Sequence, residues 1–510
     1  MALLLAKTKY GLVEGLPSDN QSISVFKGIP FAKPPIGNLR WQAPKEPEPW
    51  NNILKAYNYQ PVPYQYRQKK GTTTQLEFYP CEWPRSEDCL YLNIWTPAES
   101  AGETLPVALW IFGGGFHRGY SNKQETDGDG FARRGCIYVS FNYRLSVFGF
   151  LAHPELTKEA PYGSSGNYGL LDQIAALKWV YENISAFGGD PERITIFGQS
   201  AGAKSVQNLT VSPLSSSYVS GTIIQSGGGL HPLSSMLVQN TREHECLGEA
   251  FFKYLGVSSL AQARKIDEAT IYEKHMDFLR DRPGMHFVPH VDGYALPQSP
   301  GNMLRFGKHP DIPCIIGYNK DESSLMPTPV NEALLEEKAF NTYILQRFGK
   351  HGPEMLEALN ARTYEDRKVY LSRGNLLDMM VPGSNAYAQM YAEKQKNPVY
   401  LYVFAHTPPG EPNVGVYHSA EKMYIHETIN RNWRPMKVED YKLSLEMADY
   451  WANFVKTHNP NGDGLAKWMP FTTNDPSYME MKPNCEMRQL EETPYMKCYR
   501  KILSAEDFGK

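Results

Sequence analysis

Apolar residues follow two rhythms along this chain. Short unbroken runs at Val107–Phe112, Ile137–Asn142, Cys314–Ile316 and Val399–Phe404 read as strands covered on both faces. Weaker strand-like pieces, Ile23–Phe26 and Tyr91–Trp95, lie in a first hundred residues rich in Pro and aromatics. The other rhythm is helical. Leu171, Ile174, Ala175, Leu177, Trp179, Val180 and Ile184 recur at helical spacing, predicting a helix over 170–187 that Gly188-Gly189 stops. Asp190-Pro191 reads as a turn, Arg193–Phe197 as a strand, Ser200–Val211 as a helix and Gly221–Gln225 as another strand. Strands alternating with helices predict a mostly parallel sheet covered on both faces, the α/β class. Residues 235–300 and 325–395 read as helical insertions, with no linker to free either as a domain.

Composition narrows the function classes. The 510 residues carry 52 Lys plus Arg against 55 Asp plus Glu, a net charge of -3, so a nucleic-acid binder's basic footprint is missing. The apolar runs fall far short of the ~20 residues a membrane helix needs. At the N-terminus Lys7 and Lys9 follow the apolar Met-Ala-Leu-Leu-Leu-Ala, the reverse of a secretory leader's order, so no leader is expected. Seven cysteines at scattered spacings form no C-x-x-C or Cys/His cluster, so neither metal nor disulfide scaffold is expected and a cytoplasmic setting fits. Asn20, Asn183 and Asn208 head N-x-S/T patterns, which carry no meaning there.

The sharpest local feature is Gly198-Gln199-Ser200-Ala201-Gly202, between a strand run and a helix. That context suits a nucleophile elbow, in which a strained turn exposes the serine hydroxyl and flanking side chains would clash with backbone. Upstream, Gly113-Gly114-Gly115-Phe116 follows a strand directly. A glycine run there lets backbone N–H groups converge on an anion, and no Lys-Ser/Thr follows at phosphate-loop spacing. The two motifs together point to an oxyanion hole from the amides of Gly114, Gly115 and Ala201.

With these motifs the sequence resembles the type-B carboxylesterases, an α/β-hydrolase family that includes cholinesterases. The resemblance extends through Phe26-Lys27-Gly28-Ile29-Pro30-Phe31-Ala32, Ser86-Glu87-Asp88-Cys89-Leu90-Tyr91-Leu92-Asn93, Asn142-Tyr143-Arg144-Leu145, Phe187-Gly188-Gly189-Asp190-Pro191 and Tyr450-Trp451-Ala452-Asn453-Phe454. It implies a serine hydrolase cleaving small to medium neutral esters through an acyl-enzyme, with no cofactor. The partner it implies is a small-molecule ester, and the state a monomer or small homo-oligomer. Tyr318-Asn319-Lys320-Asp321-Glu322-Ser323 resembles the family's acid loop and names Glu322, with Asp321 one register away. Of thirteen histidines, His418 resembles the family base through Gly415-Val416-Tyr417-His418-Ser419-Ala420-Glu421. His406 is the fallback, while His426 and His458 read as loop or helix surface.

Departures from the family pattern carry further expectations. Pro63 stands where the family often has the disulfide partner of Cys89, leaving Cys81 as a remote alternative. Gln199 replaces a glutamate found in many relatives and should weaken preference for cationic alcohols. The aromatics Tyr57, Tyr59, Tyr64, Tyr66, Phe78, Tyr79 and Trp83 suggest a rim over the site, either packing an irregular loop or stacking on a hydroxycinnamoyl (feruloyl-type) ester. Gln199, Phe116, Tyr79 and Trp83 are thus the candidate substrate contacts. Arg40 and Glu87 are expected to form an ion pair tying the N-terminal segment to the sheet, and Glu421 and Ser226 to lie behind the site or simply to pack. A triacylglycerol lipase and a silent, neuroligin-like adhesion protein are the competing functions. No lid helix favours the first, and a complete candidate triad argues against the second.

Overall fold

The computed structural model describes residues 2–230, 240–282, 286–325, 329–373 and 380–505. Its centre is an eleven-stranded sheet. In chain order the strands are β1 (Leu16–Pro17), β2 (Ser24–Pro30), β3 (Tyr91–Thr96), β4 (Leu105–Ile111), β5 (Ile137–Phe141) and β6 (Gly189–Gln199). They continue with β7 (Gly221–Gln225), β8 (Cys314–Asn319), β9 (Val399–Phe404), β10 (Ser477–Met481) and β11 (Glu486–Gln489). Across the sheet the order is β11-β10-β9-β8-β7-β6-β4-β5-β3-β2-β1. Every pairing from β10 through β5 is parallel, and both margins are antiparallel.

The unbroken apolar runs have a simple cause. Successive strand residues point to opposite faces, and both faces here are cores. Val107, Leu109, Ile111, Ile194, Ile196, Ile316 and Leu401 belong to one core, with α1 (Tyr168–Asn183), α2 (Ala201–Val211) and, later in the chain, α5 (Met380–Lys394). Ala108, Trp110, Phe197, Ile223, Ile315 and Tyr402 belong to the other, under α6 (Val438–Thr457). A polar residue on either face would be buried, so the alternation of a half-exposed strand is absent.

One expectation is corrected in this region. Asp190-Pro191 is no separate turn: β6 already starts at Gly189, and its register against β4 shifts between Gly189 and Ile194. The pair is taken up in that irregularity, which a strand beside a register shift tolerates.

The insertions are helical where described. α3 (Thr241–Leu255) and α4 (Glu268–Asp281) lie between β7 and β8, and four helices, the last of them α5, lie between β8 and β9. Parts of both expected insertions, 235–239, 283–285, 326–328 and 374–379, fall outside the described residues. Arg40 does pair with Glu87, both buried, with Nε–Oε2 at 2.8 Å. Its tie is to the first insertion, however, because Nη1 also donates to the Ile266 carbonyl at 2.6 Å. All seven cysteines are free thiols. Among the described residues no helix is long and apolar enough to cross a membrane.

Candidate active site

Ser200 lies one residue beyond β6, at the carboxyl end of the sheet's central strands, where an open parallel sheet places its ligand crevice. Its backbone is held at φ 60°, ψ -125°, an unfavourable conformation for a residue with a Cβ. The turn persists because backbone packs on backbone around it. A Cβ on Gly202 would stand 2.0 Å from the Ile111 carbonyl oxygen, and one on Gly198 would stand 2.6 Å from the Gly202 carbonyl carbon. The Ser200 N–H is anchored on the Gln225 carbonyl at 2.8 Å.

The glycine turn sits against this elbow. A Cβ on Gly113 would meet the Gln199 carbonyl oxygen at 2.2 Å, so only glycine permits the approach. Gly114 and Gly115 both have positive φ, 127° and 67°. The N–H groups of Gly114, Gly115 and Ala201 donate to no acceptor among the described residues. The loop is braced from outside: Gln65 accepts from the Gly119 N–H at 2.8 Å and donates to its carbonyl at 2.9 Å. Tyr143 stacks on Phe112 and donates to its carbonyl at 2.8 Å.

His418 Nδ1 is 2.5 Å from Glu322 Oε2, and both side chains are buried. The second Glu322 oxygen accepts from the Asn319 N–H at 2.9 Å, so the carboxylate is held from both oxygens. Asp321, the other acid in this loop, turns away and accepts from the Val416 N–H at 2.9 Å. The Gln199 amide nitrogen lies against the imidazole, 3.2 Å from Nε2 and 3.5 Å from Nδ1. The carboxylate at Nδ1 selects the tautomer with its proton on Nδ1, which makes Nε2 the ring's acceptor.

Behind this pair sits Glu421. Its oxygens accept from Asn319 Nδ2 at 2.7 Å and Gln225 Nε2 at 3.4 Å, and burial, with Glu322 nearby, raises its pKa. Ser226 donates its N–H to Gly317, while its buried hydroxyl has no partner. Asn319 was not singled out from the sequence. It ends β8 and bonds both carboxylates, and its only signal was its place two residues before Asp321.

Ser200, His418, Gln199 and the three glycines line one cavity of about 460 Å³. Tyr66, Phe78 and Tyr79 enter from the aromatic segment, and Tyr272, His275 and Met276 enter from α4. Two candidates do not line it. Trp83 packs edge-on against Tyr59 beside a separate surface depression, and Phe116 is buried in the core against Phe150. The expected rim is correspondingly thinner, since Tyr57, Tyr59 and Tyr64 also stay outside.

The remaining histidines sort out plainly. His406 pairs with Asp440 at 2.7 Å, away from the cavity. His426 is not on the surface. It is fully buried among Trp110, Phe131, Tyr138 and Phe197, its Nδ1 bonding the Lys422 carbonyl at 2.9 Å, and burial pushes its pKa down to about 4. The surface reading fails because the one-turn helix Lys422–Ile425 that His426 ends is itself buried at every position. His458 is half-buried at the end of α6.

Sheet order, elbow and loop-borne acid and imidazole define an α/β-hydrolase fold. The Carboxylesterase family model matches residues 3–498, and the chain belongs to that family. It is 33% identical to the fumonisin B1 esterase of Sphingopyxis macrogoltabida, over 92% of this chain and 84% of that protein. It is equally 33% identical to the para-nitrobenzyl esterase of Bacillus subtilis, over 90% of this chain and 91% of that one. A solved PNB esterase superposes with a TM-score of 0.83 at 28% identity, covering 97% of this chain and 99% of that chain. The protein is a carboxylic-ester hydrolase.

Proposed function

We propose that the enzyme cleaves small to medium esters through an acyl-enzyme on Ser200. The carrying observation is that His418, held at Nδ1 by the buried Glu322, lines one cavity with the strained Ser200 and with Gly114 and Gly115, whose N–H groups have no acceptor among the described residues. His418 Nε2 takes the hydroxyl proton as Ser200 Oγ bonds to the carbonyl carbon, and Glu322 stabilises the imidazolium that forms. The carbonyl oxygen becomes an oxyanion held by the N–H groups of Gly114, Gly115 and Ala201, each worth about 3–4 kcal/mol of barrier. Collapse breaks the bond to the alcohol, which leaves with the proton from His418. Water then repeats the sequence and frees the acid. Loss of turnover in Ser200→Ala across a p-nitrophenyl, feruloyl and glyceryl ester panel tests this reading. Retained turnover would refute it.

The acyl side is assigned to an aryl group of hydroxycinnamoyl type. Tyr66, Phe78, Tyr79, Phe112 and Tyr272 give the cavity ring faces and edges suited to stacking. A higher kcat/KM for feruloyl or caffeoyl esters than for acetate and butyrate esters is the expected result, and equal values would remove the assignment. The neutral Gln199 supports poor use of choline esters, which should run slower than neutral esters of equal acyl length. The free thiols support a reducing, cytoplasmic setting.

A further inference from the structure

The charges around the cavity do not balance. Lys123 and Lys422 line it beside Arg118, and among the described residues no Asp or Glu lines it. Arg118 stacks over the rings of Tyr66 and Tyr79. Lys123 and Lys422 are both nine-tenths or more buried, and their ammonium groups reach the same carboxylate oxygen, Glu125 Oε1, each at 3.4 Å. Two buried cations therefore share one buried anion. Tyr79 lies under the Lys123 ammonium at 4.0 Å and Phe78 under that of Lys422 at 5.0 Å, so ring faces supply part of the missing negative potential.

The neighbouring groups do not complete the countercharge. Glu125 is held below its ordinary pKa: burial alone would raise it, and the two lysines more than reverse that. It is thus already ionised and fully counted. Glu421 is pushed towards its neutral form by burial and by Glu322, and burial also holds both ammonium groups below the ordinary lysine pKa, the cost of the missing countercharge. A buried charge without its complement is costly, and an anion entering the cavity would lower that cost. His275 also lines the cavity, and among the described residues its buried ring nitrogens have no hydrogen-bond partner.

We infer that the substrate is an ester carrying a carboxylate, seated on the Lys123–Lys422 side of the cavity. The inference rests on the ester-hydrolase reading and replaces the neutral ester that the family resemblance implies with an anionic one. An aryl acyl group and a carboxylate can belong to one substrate, because the ring wall and the ammonium pair adjoin.

The test compares p-nitrophenyl hemisuccinate with p-nitrophenyl 4-methylpentanoate, in which an uncharged branched end replaces the carboxylate. The kcat/KM ratio should favour the hemisuccinate about tenfold or more, the effect of one charge-assisted contact. Lys422→Met and Lys123→Met each leave a balanced pair with Glu125, so both should fold, and each should cut the ratio at least about fivefold. Lys422→Arg should restore it. Equal use of the two esters by the wild type, or a preference that survives both Met variants, overturns the inference while leaving ester hydrolysis standing. Failure of both esters in an otherwise folded enzyme instead removes the hydrolase reading. In that event calorimetry decides, with succinate binding to Ser200→Ala expected and its loss in the added Lys422→Met change expected with it. Absence of succinate binding overturns the anion subsite independently of turnover.

Discussion

The floor of the cavity and its walls are built in different ways. The floor is backbone on backbone: Gly113, Gly198 and Gly202 approach neighbouring carbonyl groups so closely that no side chain fits. The proposed triad residues Ser200, Glu322 and His418 follow the parallel strands β6, β8 and β9, which are paired on both sides. The walls are side chain on side chain. Tyr66 and Tyr79 come from an irregular segment before β3, and Tyr272, His275 and Met276 come from one face of α4. Position is therefore fixed where bonds are made and broken, and composition is free to vary where substrates are told apart. The difference predicts large, substrate-independent losses from changes in the floor and modest, substrate-dependent ones from changes in the walls.

The largest effect should follow Ser200→Ala, with kcat for p-nitrophenyl butyrate falling on the order of 10⁶-fold. A residual rate within about a hundredfold of wild type would place the nucleophile elsewhere. Glu322→Gln comes next. It keeps the shape of the side chain but removes the charge that stabilises the imidazolium, and kcat should drop about 10⁴-fold. Asp321→Asn is the paired control, because that carboxylate is spent on the Val416 N–H, and kcat should change far less. If the two variants exchange these outcomes, the acid has been assigned one residue out of register. Gly202→Ala should cost about 10²-fold in kcat with every ester alike, as the new methyl group drives the elbow off the Ile111 carbonyl. A loss confined to bulky esters would mean that the floor had not moved.

The floor was legible in the sequence, the walls only in Tyr66, Phe78 and Tyr79 of the aromatic segment, for a physical reason. Gly198, Gly202 and the 113–115 run are local signals, since a turn too tight for a Cβ must be written in glycine wherever it occurs. The strands were legible because two-sided burial demands unbroken apolar runs. Lys123, Lys422 and His275 carry no such mark. Each reads as an ordinary surface residue until the folded chain sets it in the cavity wall, and their partner Glu125 lies 297 positions from Lys422. Trp83 and Phe116 failed in the opposite direction. Proximity in sequence to Tyr79 and Gly115 suggested the cavity, but one turns outward against Tyr59 and the other inward against Phe150.

A wall substitution tests the other half of the comparison. Tyr79→Ala removes a ring from the aromatic side, and the kcat/KM ratio of feruloyl to butyrate esters should fall about tenfold. A uniform drop with both esters would show that Tyr79 holds up the floor rather than reads the acyl group.

The smallest effect lies beneath the floor and depends on pH. His426 is packed under β4 and β6 against Trp110 and Phe197, and burial pushes its pKa to about 4 from the 6.5 it has when exposed. Between those values the unfolded chain binds a proton at this ring and the folded chain does not. Stability therefore rises with pH across that window, by up to about 1.4 kcal/mol per pH unit from this one group. His275 in the wall, pushed to about 3 by burial, adds a slope of the same sign. His426→Phe keeps the ring packing and removes the proton, so the fall in Tm from pH 6.5 towards pH 5 should be shallower by about one proton's worth, with Tm near pH 7 little changed. An unchanged slope would mean that the imidazole reaches solvent in the folded state and that the aromatic layer under the floor opens without unfolding. In that case the floor would owe its rigidity to its glycine contacts alone.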